Sequence, residues 1–321
     1  MASQQGKSFK KLHLNTNYPA LFFLFSFLCL LPGQNLFSTI EINSHAVENF
    51  SVPQIPLSFY PQENNKQTLP ELTAKAYLVM DVDSAVMMTQ KDARQRVYPA
   101  STTKMMTALV SLENYPLSSI VTVGDINTPS QKINLRPAEK ISVENLLYGM
   151  LISSGNDAAE ALALAYPEGR DGFISKMNER AKELHLLDTH FKNPTGIDEE
   201  GHYSSALDLA RLAIYALHQD EFKRIVSTAK ASVFSSDGKI EHRLNNVNEL
   251  LGKVDGVMGI KTGYTQKAGE SLVALTQREG HQIITVVMGS KDRFKETKSL
   301  IEWAFSSHDW INPENVLMKN D

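Results

Sequence analysis

At 321 residues and 42% apolar, with 32 basic against 36 acidic side chains, the chain has material for one large domain or two small ones, each with a real core. No dense basic run occurs in the part expected to fold, which leaves no electrostatic footprint for nucleic acid. The single cysteine, Cys29, leaves no disulfide, thiol nucleophile or cysteine metal site after it.

Lys7, Lys10, Lys11 and His13 precede an apolar run at 20–31, and no acidic residue occurs before Glu41. A basic start followed by a short apolar core reads as a secretory signal. It falls short of the ~20 apolar residues of a membrane-spanning helix, and Pro32-Gly33-Gln34-Asn35 ends it. Residues 1–40 are therefore expected to be a signal peptide, or an N-terminal anchor if retained. Ser44-His45-Ala46 has a small-x-small form but lies far from the apolar core, and Leu28 before Cys29 argues against lipidation. Export without cysteine in the exported part points to a bacterial envelope, either the periplasm or the outer face of the cytoplasmic membrane. Residues 41–70 read as a linker, punctuated by Pro53, Pro56, Pro61 and Pro70.

A folded domain is expected over 71–308. Residues 76–80 and 85–88 read as two strands of a β-hairpin across Asp81-Val82-Asp83-Ser84. Pro99-Ala100-Ser101 opens a helix with an apolar stripe of Met105, Met106, Ala108, Leu109 and Leu112. Helices are expected at 143–152 and 157–166, on either side of Ser153-Ser154-Gly155-Asn156, and again at 173–187 and 206–217. Strands follow at 258–265, 271–276 and 282–288, then a closing helix at 292–306 and a short tail at 309–321. This order is α+β. The first and last segments join one antiparallel sheet flanked by helices, with the middle as an all-α subdomain.

Chemistry concentrates in three short patterns: Ser101-Thr102-Thr103-Lys104, Ser154-Gly155-Asn156 and Lys261-Thr262-Gly263. S-x-x-K alone is weak, because it also starts at Ser8, Ser227 and Ser236. Only the Ser101 copy opens an apolar-striped helix. There Lys104 lies about one turn away on the same face, and the serine N–H is free to point at an anion. The bland readings are a helix-capping serine, a polar interhelical turn and a strand ending in a glycine turn. The order and spacing of all three argue against coincidence. Together they are the established signature of penicillin-binding proteins and class A β-lactamases.

A serine hydroxyl needs a base, and lysine is a poor one at its free pKa of about 10.4. A nearby cation and burial lower that pKa, and Lys261 is the expected cation. Neutral Lys104 would then take the Ser101 proton. Ser154 would bridge the two lysines and relay a proton to the leaving amine, and Asn156 would hold Lys104 and the substrate backbone. Lys261 and Thr262 would attract a terminal carboxylate, and Gly263 would let a substrate strand approach. The N–H groups of Ser101 and Tyr264 would form the oxyanion hole.

Beyond the motifs, Tyr98 to Met105, Asn193-Pro194-Thr195-Gly196-Ile197-Asp198 with Gly201-His202-Tyr203-Ser204-Ser205-Ala206, and Gly259 to Thr265 resemble the three signature segments of the serine-type D-alanyl-D-alanine carboxypeptidases, the low-molecular-mass penicillin-binding proteins. The resemblance covers roughly 70–306. It implies a β-lactamase/transpeptidase-like fold with a five-stranded sheet, a helical subdomain and the active site between them. It also implies removal of the terminal D-alanine from cell-wall stem peptides ending in D-Ala-D-Ala, through an acyl-enzyme that β-lactams trap, with no cofactor. Many relatives add a second β-rich domain and a C-terminal anchor helix. The tail here is too short for either, so a tether would have to be N-terminal.

Other readings remain open at this stage. Glu241-His242-Arg243-Leu244-Asn245 fits the class A E-x-x-L-N pattern, but it lies only 20 residues before Lys261 and reads as chance. An endopeptidase or a transpeptidase would share the same residues. A non-catalytic penicillin sensor would be expected to have lost Lys104, Ser154 or Lys261. A zinc peptidase would need His185, His190 and His202, whose spacing matches no ligand set.

Overall fold

The computed structural model describes residues 58–313. They lie within the compact unit Pro56–Asp321; the unit Met1–Ile55, and with it the expected signal or anchor and most of the linker, lies outside the described residues. Among the described residues no helix is long and apolar enough to cross a membrane.

In chain order, strands β1 (Tyr60–Glu63), β2 (Ala76–Asp81) and β3 (Met87–Lys91) lead to a 3₁₀ turn, Ala100–Thr103, that runs into helix α1 (Lys104–Asn114). The short strands β4 (Ile120–Thr122) and β5 (Lys140–Ser142) flank an irregular loop. Then come α2 (Val143–Leu151), α3 (Asn156–Leu164), α4 (Gly169–Glu183), α5 (Ala206–Ala216) and α6 (Asp220–Val226). Strands β6 (Lys230–Phe234), β7 (Glu241–Asn245), β8 (Val257–Thr265), β9 (Gly269–Arg278) and β10 (His281–Ser290) precede α7 (Arg293–Ser306) and β11 (His308–Ile311).

The central sheet has the order β3-β2-β10-β9-β8, antiparallel throughout. Its first two strands come from the start of the domain and the other three from the end, as the α+β reading expected. Both faces are covered. Tyr77, Val79, Ile283 and Val287 pack on Leu300 and Trp303 of α7, whereas Leu78, Met80, Ile284 and Val286 join the large core with the helices. Every residue of β2 is therefore buried, which explains a continuous apolar run where a half-exposed strand would alternate.

α1 is buried along its whole first two turns, from Lys104 to Ser111. The sequence suggested a one-sided stripe. The helix is instead the axis of the helical layer, packed against α2, α4 and α5, and it has no solvent face there. Ser142 and Ser205 cap α2 and α5 by accepting from Asn145 N and Asp208 N, which places these helix starts close to where the pattern put them.

Bounds differ from expectation in α4, expected at 173–187 and observed at Gly169–Glu183, and at both ends of the domain. Residues 60–63, assigned to a linker on their prolines, form β1 and pair with β11, Tyr60 opposite Ile311 and Glu63 opposite His308. The tail accordingly begins as a strand. An edge strand tolerates Pro61 because one side of it needs no ladder donor. The sequence reading also missed α6 and the β4–β5 and β6–β7 ribbons. Each is short, and the outward positions of β7 (Glu241, Arg243 and Asn245) are exposed, so apolar periodicity had little to show.

Glu296 ties the layers together. Buried on α7, its carboxylate accepts from Thr73 N at 2.8 Å and Ala74 N at 3.2 Å, just ahead of β2. Removing it leaves three donors without this partner: Thr73 N, Thr73 Oγ1 and the buried Ala74 N. Glu296→Ala is expected to destabilise the fold by about 2–4 kcal/mol, read as a lower urea midpoint with unchanged slope.

Candidate active site

Ser101 sits within the 3₁₀ turn that precedes α1, and not in the first α-helical turn as expected. In 3₁₀ geometry residues i and i+3 eclipse, so Lys104 comes directly beneath Ser101. The turn is tied down locally: Thr102 Oγ1 donates to Pro99 O at 2.7 Å, and Thr103 Oγ1 lies 2.9 Å from His202 Nε2. Lys192 N–H points at His202 Nδ1 from 3.3 Å, so Nε2 carries the proton and donates to Thr103. Burial lowers the His202 pKa to about 3, so the ring stays neutral. Ala100 adopts a positive φ of 49°, which is uncommon for alanine. Gly196 makes room for it, since a Cβ there would lie 1.8 Å from Ala100 O.

The Lys104 side chain is wholly buried. Its Nζ lies 2.9 Å from Ser101 Oγ, 2.7 Å from Asn156 Oδ1 and 2.6 Å from Thr195 O. Two of these partners are carbonyl oxygens, which only accept. A neutral amine has two N–H groups for them and one lone pair left for the Ser101 hydroxyl. Burial first, and then the charge of Lys261, pushes the Lys104 pKa well below its usual value; Glu160 and Asp157 oppose this more weakly. The shifted pKa favours the neutral amine, and the geometry places that amine against Ser101.

Asn156 opens α3. Its Nδ2 donates to Pro129 O at 2.9 Å, which turns Oδ1 toward Lys104. Ser154, at φ 59°, lines the cavity, but it forms no hydrogen bond to either lysine, so the expected bridge is not made. Gly263 on β8 runs against the turn: an added Cβ would lie 3.0 Å from Ala100 Cβ and 3.2 Å from Ser101 N. Tyr264 stands 64% exposed at the rim.

Lys261 departs from expectation. It is 1% exposed, and its Nζ donates to its neighbour's carbonyl, Thr262 O, at 3.1 Å. It sits behind the wall, and burial together with Arg293 lowers its pKa to about 7. The wall itself carries Thr262 and Arg293, and Arg293 Nη1 donates to Gly263 O at 3.0 Å. The sequence reading missed Arg293. A signal was present: it is the first residue of α7, where the helix dipole disfavours a cation.

These residues enclose a cavity of about 230 Å³. A larger one, about 570 Å³, lies beside β3 at the far edge of the sheet, and neither serine nor lysine lines it. Glu241 faces outward on β7, paired with Ser232 and Arg243. Among the described residues no group of three His, Cys, Asp or Glu is placed to hold a metal.

Two outcomes test this geometry. Gly196→Ala should displace the Ser101 turn and slow acylation by a β-lactam about 100-fold, measured as adduct formation by intact mass. Lys261→Gln removes a charge that lowers the Lys104 pKa. The rising limb of acylation rate against pH should therefore move to higher pH; a limb that stays put would remove Lys261 from the electrostatic account.

The family model for D-alanyl-D-alanine carboxypeptidase, peptidase family S11, matches residues 63–292. The chain is 33% identical over 264 residues to D-alanyl-D-alanine carboxypeptidase DacF of Bacillus subtilis, covering 79% of this chain and 68% of that one. The corresponding DacA of Escherichia coli is also 33% identical, with 77% and 64% covered, and DacB2 of Mycobacterium tuberculosis is 31% identical, with 77% and 86% covered. The chain thus spans about two thirds of the first two relatives. The Streptomyces K15 DD-transpeptidase structure superposes with a TM-score of 0.70 at 30% identity, over 75% of this chain and all of that one. The sheet order, the Ser101–Lys104 turn and a family match across most of the domain converge: this chain belongs to the D-alanyl-D-alanine carboxypeptidase family of serine peptidases.

Proposed function

We propose that this chain removes the terminal D-alanine from peptidoglycan stem pentapeptides through an acyl-serine intermediate. The observation that carries the proposal is the buried Lys104 amine, 2.9 Å from Ser101 Oγ and held by Asn156 Oδ1 and Thr195 O, with its pKa pushed well below the usual value by burial and by Lys261.

Ser101 Oγ attacks the carbonyl carbon of the D-Ala–D-Ala bond while its proton passes to Lys104 Nζ. The oxyanion is received by the Ser101 and Tyr264 backbone N–H groups, each worth about 10²–10³ in rate. Arg293 and Thr262 take the terminal carboxylate. In this reading the permanent charge of Arg293, which lines the cavity, meets the carboxylate in place of the buried Lys261. The tetrahedral adduct collapses, and the C–N bond breaks. Lys104 returns its proton to the leaving amine by way of the Ser154 hydroxyl, which lines the cavity and must turn toward Lys104 to do so, since it bonds neither lysine in this structure. Water then attacks the ester, Lys104 takes its proton and passes it to Ser101 Oγ as the ester C–O bond breaks, which frees the shortened peptide and restores the neutral amine. A penicillin follows the first step only, because its opened ring keeps the leaving amine attached.

Similarity to the K15 DD-transpeptidase over that protein's whole length supports a second outcome on the same acyl-enzyme, in which an amine of another stem peptide replaces water. The substrate lies outside the cytoplasmic membrane, so the basic-then-apolar residues 1–40 fit an export signal or tether.

Ser101→Ala should give no covalent penicillin adduct, whereas the unaltered chain gains one penicillin mass. Lys104→Met should slow acylation by about 10²–10⁴-fold. Incubation with pentapeptide should release free D-alanine; cross-linked product in place of D-alanine would reassign the chain as a transpeptidase. Failure of the unaltered, folded chain to acylate would remove the acyl-serine reading.

A further inference from the structure

We infer that His242 is a positioning residue for the Lys104 base, acting through Ile133 and the loop that seats Asn156. The inference rests on the acyl-serine reading for its kinetic consequence but not for its structural one.

His242 lies on β7, 5% exposed, and does not line the active-site cavity. Its Nδ1 is 2.9 Å from Ile133 O, and its Nε2 is 2.7 Å from Glu139 Oε1. A carbonyl only accepts, so Nδ1 carries a proton and donates to Ile133. Glu139 is equally buried, and its second oxygen accepts from Arg136 N at 2.9 Å. A ring from one hairpin thus closes a loop more than a hundred residues away in the chain. A buried imidazole–carboxylate pair is costly to assemble, and neither group has a part in the chemical steps above.

Ile133 is the peg this pair holds. Its N–H reaches the Asp157 carboxylate, at 3.0 Å from Oδ1 and 3.1 Å from Oδ2. Its side chain lies over two glycines, where an added Cβ on Gly149 would come within 2.5 Å of Ile133 Cδ1 and one on Gly155 within 3.1 Å of Cγ2. Two residues earlier, Gln131 O accepts from Asn156 N at 2.8 Å, and Pro129 O accepts from Asn156 Nδ2 at 2.9 Å. The Pro129 bond decides which end of the Asn156 amide faces Lys104. Releasing Ile133 therefore frees the Asn156 amide to turn, and Lys104 then has a spare N–H to direct at Ser101 in place of its lone pair. Arg293 and Thr262 lie on a different wall, so carboxylate binding is untouched.

The test uses the full chain and three substitutions. His242→Phe keeps the ring volume without its hydrogen bonds. Glu139→Ala removes the carboxylate. Glu139→Gln can preserve the whole network: Oε1 accepts from Arg136 N, and the amide donates to Nε2 of a neutral His242. Rates of acylation by benzylpenicillin are followed against concentration, and amide hydrogen exchange is followed at 130–135 without ligand. His242→Phe and Glu139→Ala should lower the limiting acylation rate by about 10- to 100-fold at an unchanged half-saturating concentration, with faster exchange in the loop. Glu139→Gln should stay close to the unaltered chain on both readouts. An unchanged limiting rate, an effect on half-saturation alone, or Glu139→Gln as damaged as Glu139→Ala would each overturn the inference. If His242→Phe does not fold, the two Glu139 variants decide it. Were the unaltered chain not acylated at all, the functional reading would fall, and exchange alone would judge the clamp: equal protection in all four proteins ends it.

Discussion

A lysine amine with no access to water and no carboxylate within hydrogen-bond reach is the constraint around which this molecule is arranged. A buried, unpaired charge is too costly to keep, and the group responds by shedding its proton. Lys104 has only oxygen partners from neutral groups: a serine hydroxyl, an asparagine amide and a backbone carbonyl. Those partners offer no counter-charge. Thr195 O is delivered by the segment that carries Gly196, and that glycine lets Ala100 and Ser101 come close. Asn156 is delivered by α3 and oriented by Pro129. Helical layer and sheet meet where one amine must be kept dry.

The two lysines of the signature consequently do different work. Lys104 faces the nucleophile. Lys261 is buried one layer further back, where its charge lowers the Lys104 pKa. With its pKa near 7, its charge is not fixed at neutral pH, whereas the guanidinium of Arg293 is always charged. A site that must recognise a carboxylate over a range of pH is better served by the arginine at its wall. Placing a cation at the start of α7 goes against the helix dipole, and local inconsistencies of this kind concentrate at functional positions.

Much of this was legible in the chain. The strand–helix–strand order required one sheet built from both ends of the domain, and the five-stranded antiparallel sheet follows it. Ser101, Lys104 and Asn156 meet because their motifs sit at a turn and at a helix start, both of which leave local marks in sequence. What could not be read was set by contacts between distant segments. Nothing near Pro61 says that Ile311 will be its neighbour's partner. Nothing in Glu241-His242-Arg243 says that the histidine points inward at residue 133, since a five-residue strand offers only two inward positions, His242 and Leu244. The position of Lys261 behind its wall depends on how β8 lies against the 3₁₀ turn, which spacing cannot encode.

The β1–β11 ladder joins the point where the described chain enters the domain to the point where it leaves. Because Tyr60 opposes Ile311 and the strands run antiparallel, a force drawing these two ends apart loads the pairs one after another from the Tyr60 end, as a zipper opens. Each pair yields separately, at a low force. The catalytic sheet shares no strand with this ladder, so mechanical load between the two ends is released at a sacrificial ribbon before it reaches the serine.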